Sequence, residues 1–218
     1  MRNLFEGEYA IAIAGSHGKK KSDSLSDIDL RTYYNTWNSN ADELSYANKT
    51  LDEIIAKWDK KGVKIDGFWP RSISEISNGL DKILSGKDIV PPHCVWTIWG
   101  YHLATDIQNN SIIEDPYNII SEWQRKLSLF PEVMRRAIIQ RYHSSLDYWI
   151  KDYHYEMKVV RGDVIFCLGL ANRLINHIIQ ILFALNRVYY CGDGWNLEYM
   201  KDFKILPDNF AVRITDIL

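Results

Sequence analysis

Cysteine is scarce: Cys94, Cys167 and Cys191 are the only three among 218 residues, and no two form a CxxC pair. An odd, scattered set excludes a disulfide framework and a cysteine-rich zinc site, and reads as reduced thiols. An excess of one charge is also lacking, since 26 Lys and Arg against 28 Asp and Glu leave a formal net charge of −2. Without a general basic field, a stable nucleic-acid complex is not expected, and a small substrate suits the balance better. Uninterrupted apolar runs are missing too. The nearest approach, residues 164–185, is crossed by Asn172, Arg173, Asn176, His177 and Gln180. So many polar groups are costly in lipid, which points to a buried helix of a soluble protein and to no membrane partner. The first residues, MRNLFEGE, carry acids and no apolar signal core. The expectation is a cytoplasmic protein.

What is present is ordinary globular composition, 46% hydrophobic and 25% charged, with 13% aromatic residues. The length supports one large domain or two small ones. Residues 9–14 alternate Ile11 and Ile13 and end at Gly15, which reads as a strand entering a turn. Residues 16–26 hold Gly18, lysines 19 to 21 and four serines, and read as a loop with or without a short turn. Residues 27–33 alternate again as a strand, 52–60 suit a helix, 63–69 a strand and 72–84 a helix. Residues 94–103 fit a helix or a strand equally. From Pro116 the pattern turns helical: Pro116 and Pro131 are helix openers, residues 132–155 carry one long helix, and Asp163 is the N-cap of a helix over 164–189 ended by Gly192 and Gly194. The fold class expected is α+β, with an N-terminal α/β unit at 1–115 and a C-terminal helical bundle at 116–218.

Asp27 and Asp29 carry the chemistry. On a strand, positions i and i+2 share a face with Cα atoms roughly 6.5–7 Å apart. Two carboxylates so placed repel unless a cation lies between them, and all-oxygen ligands suit Mg²⁺. Ile28 and Leu30 point the opposite way, into the core. An Asp-x-Asp pair alone is common on solvated strand edges. Gly15-Ser16 adds to it: Gly allows close backbone approach, and Ser offers a hydroxyl and an N–H to a phosphate. Ten residues separate Ser16 from Asp27, so a hairpin brings the phosphate turn beside the carboxylates. Gly18 and Lys19 add flexibility and positive charge to that turn. The spacing does not fit a Walker A loop.

The stretch IAIAGSHGKKKSDSLSDIDL resembles the signature of the DNA polymerase β-like nucleotidyltransferases: an apolar strand, Gly-Ser, a spacer, then Asp-hydrophobic-Asp-hydrophobic. The likeness is tight over residues 9–31. It extends loosely to the small bacterial two-domain members that modify aminoglycosides and lincosamides, in which a helical C-terminal domain closes the cleft. The later stretch FALNRVYYCGDGWN resembles the end of that helical domain, although some relatives have lysine where Gly194 stands here.

The resemblance implies a nucleotidyltransferase fold in the first unit, with two Mg²⁺ ions and a nucleoside triphosphate, ATP by preference. It also implies Asp27, Asp29 and a third carboxylate as metal and catalytic residues, and Gly15, Ser16, Gly18 and Lys19 around the nucleotide. Asp66, on the next apolar strand, is the match for the third acid, with Asp106 the alternative. The reaction implied is transfer of a nucleoside monophosphate to a hydroxyl of a small molecule such as an antibiotic. The competing readings are AMP transfer to a protein, as in antitoxin-type members, and a non-catalytic module that binds nucleotide or a partner.

Asn172, Asn176 and Gln180 recur at four-residue spacing, with Arg173 and His177 alongside. Such a stripe on an apolar helix meets water, a ligand or a neighbouring unit. Trp69, Trp96, Trp99 and Trp195 are candidates for stacking on a ring or for core packing. Monomer and homodimer both remain open.

Overall fold

The computed structural model describes residues 4–89, 103–192 and 196–217, with position 69 described by its backbone alone. The expectations at 94–102, at Trp69, Trp96, Trp99 and Trp195 as stacking groups, and at Gly194 lie outside what is described. The chain divides into two compact units, Met1–Asp81 with Leu103–Leu129, and Lys82–His102 with Phe130–Leu218.

The first unit is built on a mixed sheet. Its strands are β1 (Phe5–Ile13), β2 (Ile28–Trp37), β3 (Ile65–Ser72) and β4 (Ser111–Glu114). Among the described residues they form one sheet in the order β3-β2-β1-β4, with β1 antiparallel to both neighbours and β2 parallel to β3. Ala10, Ile11 and Ala12 are all buried, so β1 is central and covered on both faces, as its continuous apolar run requires. The helices are α1 (Gly15–Gly18), α2 (Ala41–Asp59), α3 (Ile73–Leu84), α4 (Leu103–Gln108) and α5 (Ile119–Leu127), with α3 running across the division between the units.

Alternation along β2 separates the two layers. Tyr34 joins Leu4, Phe5, Ala47 and Leu51 in a cluster that seats α2 on one face. On the other face Tyr33 is fully buried, takes a 2.6 Å hydrogen bond from Asn110 and meets Trp123 of α5 edge-on at 5.0 Å. The Trp123 indole N–H donates in turn to Ser77 of α3 at 3.0 Å. Ile28 and Leu30, expected in the core, are only half-buried, and Arg31, Thr32 and Tyr33 are the deep residues. The helix expected over 52–60 begins much earlier, where the Asn40 side chain accepts from the N–H groups of Asp42 and Glu43.

The second unit contains α6 (Glu132–Lys151), α7 (Tyr153–Val160), α8 (Val164–Leu185), α9 (Asn196–Met200) and α10 (Phe210–Ile217). The single helix expected over 132–155 is broken at Asp152, which is extended and accepts from the His154 N–H at 2.9 Å, capping a new helix. Asp163 caps α8 through the Phe166 N–H, as its side chain predicts. That helix stops at Leu185, short of the glycines expected to end it. Arg187 turns left-handed at φ 56, and the Asn186 amide takes over the end by donating to the carbonyls of Leu182 and Ile205.

By length and composition α8 is apolar enough to cross a membrane. Its burial is uneven: Val164, Ile165 and Leu168 are exposed, and the buried positions begin at Leu170. The buried helix expected from sequence is therefore buried only in its later part. There Ile175, Ile179, Leu182 and Phe183 form a core with Tyr190, Met200, Phe210 and Ile214.

By compactness the chain changes unit after Asp81, after His102 and after Leu129, and residues 116–129 group with the first unit. The reason lies in α5, which is helical yet buries Ile120, Trp123 and Leu127 in the first unit, with Trp123 against Tyr33.

Candidate active site

The candidate residues meet at one end of the sheet. Antiparallel pairing sets Ile13 against Leu30, so the turn after β1 lies beside the start of β2, and the Ala14 N–H donates to the Asp29 carbonyl at 2.9 Å. Gly15 is left-handed at φ 58, and a Cβ there would stand 1.8 Å from Asp29 Oδ2. A side chain there would be strained by the backbone conformation and would have to displace the Asp29 carboxylate. Gly18 is needed for space alone: its added Cβ would lie 2.7 Å from the Asn109 carbonyl oxygen. Residues 15–18 close a short helical turn, α1, in the segment expected as a loop with or without such a turn. Ser16 on it and Lys19 at its C-terminal cap are half-buried.

Parallel pairing brings β3 to the other side of β2. Ile28 stands against Ile65 and Leu30 against Phe68, so Asp66 and Gly67 together oppose Asp29. Two residues against one is a bulge, a device that re-aims a side chain, and Gly67 supplies its left-handed φ of 103. Asp66 thus reaches the neighbourhood of the pair from the adjacent strand. Its carboxylate and that of Asp27 line an open groove of about 370 Å³ with Lys64 and with Asp52 and Asp59 of α2. Asp27 makes no hydrogen bond or ion pair with any described residue.

Electrostatics join the three acids. Burial raises the Asp29 carboxyl above its ordinary value; the Arg31 charge opposes this, and the negative charges of Asp27 and Asp66 add to it. Asp29 is therefore held among like charges in a partly desolvated place. Among the described residues no group of three or more His, Cys, Asp or Glu is gathered closely enough to ligate a metal. The donor set nevertheless fits a hard divalent cation in kind, because oxygen ligands of like charge are those that such an ion compensates.

Sequence reasoning missed the support behind the site. Arg31 Nη1 reaches Asp29 Oδ1 at 3.3 Å, while its Nε reaches Asp106 Oδ2 at 3.3 Å. Arg71 Nη1 bonds the same Asp106 oxygen at 2.9 Å. Asp106, considered as a third acid, is buried on α4 and held by two guanidiniums, which makes it the anchor of Arg31. The sign of this in the sequence is Arg31 itself. A charge two residues beyond Asp29 shares its face, and Tyr33 on that face is core.

These features define an α+β chain whose mixed sheet carries a glycine turn and a set of carboxylates at one end. A family model described as Domain of unknown function (DUF4037) is similar to this chain over residues 96–196, a span that begins beyond Gly15, Asp29 and Asp66. No curated protein matches the chain.

Proposed function

We propose that this chain is a Mg²⁺-dependent nucleotidyltransferase that moves a nucleoside monophosphate, AMP from ATP by preference, onto a hydroxyl of a small-molecule acceptor. The observation that carries the reading is the Gly15 turn packed directly on Asp29, with Asp27 and Asp66 acting on the same carboxyl. The resemblance over residues 9–31 supports it independently.

In this reading the N–H groups and hydroxyl of the Gly15-Ser16 turn hold the phosphates, and Lys19 on the same turn adds positive charge. Asp27, Asp29 and Asp66 are the residues that would hold the cations, and Mg²⁺ bound there would neutralise charge on the triphosphate and on the departing pyrophosphate. Arg31 fixes one oxygen of Asp29 and is itself fixed by Asp106, so the carboxylate is oriented before any ligand arrives. The exposed Asp66 takes the proton as the acceptor oxygen bonds to the α-phosphorus and the bond to pyrophosphate breaks.

The test is incubation of the purified chain with α-labelled ATP, Mg²⁺ and separate pools of aminoglycosides, lincosamides and cell-extract protein. The expected result is Mg²⁺-dependent label on a small molecule, reduced at least about a hundredfold by Asp27→Ala or Asp29→Ala, the scale of losing a group that stabilises transition-state charge. Label on a protein would move the acceptor class. No transfer, and no nucleotide binding that Asp27→Ala weakens, would leave a non-catalytic module.

A further inference from the structure

Among the described helices of the second unit, α7 alone buries none of its residues. It is eight residues long, and a helix that short is marginal in water unless an apolar face is packed. One side of α7 does meet its neighbours. Lys158 stands over the Phe166 ring of α8 at 5.0 Å and bonds Asp163 at 3.1 Å, and Trp149 of α6 meets the same ring edge-on at 6.4 Å.

The opposite side is apolar and uncovered. Tyr153, Met157 and Val160 recur at the i, i+4, i+7 spacing of one helix face, turned away from Lys158. They are 65%, 41% and 76% exposed, and Ile150 just before the helix is 80% exposed. At ordinary residue areas these four expose on the order of 500 Å², the upper part of the range for the largest apolar patch on a typical monomer. One side of a standard protein interface takes about 800 Å², a little over half of it apolar, so the face with its polar rim is of interface size.

The charges around the face select the partner. From Asp147 to Asp163 three basic side chains stand among four acidic ones. Lys151 and Lys158 are paired with Asp147 and Asp163 at 2.7 and 3.1 Å, so no basic excess draws the face to an anionic bilayer. Glu156 and Arg161 are exposed and make no ion pair with any described residue. With about 3.6 residues per turn, they fall on opposite flanks of the Tyr153–Met157–Val160 stripe. A face with an acid on one flank and a base on the other is complementary to itself when two such helices lie parallel.

We infer that this face of α7 is a self-association surface, on which a second copy of the chain packs its own α7 in parallel about a two-fold axis. The two apolar stripes then cover each other. Glu156 of each copy stands beside Arg161 of the other, and the symmetry makes that pair twice. The surface lies in the second unit and does not depend on the chemistry of the first.

The experiment is sedimentation velocity of the full chain over a series of concentrations. The expected result is a reversible shift from the 25.5 kDa chain to twice that mass, with amide exchange across α7 slowing as the dimer forms. Val160→Lys should weaken association at least about tenfold, the scale of one apolar side chain left unburied. Because Val160 is already exposed in the single chain, this variant should keep the parental circular dichroism. Glu156→Lys and Arg161→Glu should each fail to associate alone, since like charges then face each other twice. Mixed in equal amounts, the two variants should recover the parental dimer, because every facing pair is again of opposite charge. A lipid arm measures co-sedimentation with phosphatidylcholine vesicles, with and without phosphatidylserine, and no binding is expected. The inference is overturned by a chain that stays monomeric throughout, by a dimer that Val160→Lys leaves intact, by variants that do not recover on mixing, or by vesicle binding that Val160→Lys abolishes.

Discussion

Gly15 and Asp29 constrain each other. The glycine is left-handed, and its Cα lies against a carboxylate that burial, with repulsion from Asp27 and Asp66 added, disfavours as an anion. Gly15→Ala therefore meets two penalties, about 1–2 kcal/mol for a side chain in the left-handed region and the displacement of Asp29 by a methyl group. Urea denaturation should show a loss of at least that size, and transferase activity should fall with it. An alanine variant of parental stability and activity would mean that the turn tolerates a Cβ. Asp29 makes a second, opposite prediction. Its folded-state value is raised, so between the ordinary value of 3.8 and the higher folded one the native chain binds more proton than the unfolded chain. By linkage, the contribution of this group to stability falls as pH rises through that window and stays low at neutral pH. Asp29→Asn removes the loss while Arg31 keeps Asp106 as partner, so no guanidinium is stranded. The variant should be inactive yet more stable than the parent at pH 7, with the gap closing below pH 4 and on adding Mg²⁺ to the parent. Lower stability of Asp29→Asn at neutral pH would show that the carboxylate is a net structural asset.

The elements that position these residues were legible in proportion to how local their causes are. β1 and β2 were readable because alternation and the Gly15 turn are properties of short stretches. The Asp163 cap was readable for the same reason, being one side chain and one N–H three residues on. The breaks were harder. Asp152 ends α6 by capping α7, and from sequence the two helices merge into one apolar pattern because no Gly or Pro marks the joint. α8 ends through an Asn186 side chain that also binds Ile205, a contact nineteen residues away that no window contains. β4 is four residues long with exposed Ile112 and Ile113, and it is a strand only because β1 offers it an edge. At the site the same rule holds. Asp27, Asp29 and the glycine turn lie within one stretch, so they are readable together as a candidate set. Arg71 and Asp106, brought to Arg31 from β3 and α4, were not found as its partners. The bulge that turns Asp66 toward Asp29 depends on the register of β2 with β3, which sequence alone does not state.

At the scale of the molecule, the two units carry different kinds of stability. In the first, the face that bears Asp29 is held by polar contacts: the Arg71–Asp106–Arg31–Asp29 series and the hydrogen bond from Asn110 to Tyr33. In the second, the core is apolar and aromatic. Phe183 is 1% exposed and meets Tyr190 and Phe203 edge-on at 5.4 and 4.9 Å. Truncating such a side chain costs about 3–5 kcal/mol through lost burial and the cavity left behind, a large share of the stability of an ordinary domain. If each unit keeps its own core, that loss stays where it is made. In Phe183→Ala, native-state hydrogen exchange should speed up strongly across α8 and α10, while the amides pairing Ala10 with Tyr33 and Ile13 with Leu30 keep the parental rates. Equal acceleration on both sides would mean that the chain unfolds as one cooperative body, in which case stability measured on any Gly15 or Asp29 variant reports the α8 core as well as the site.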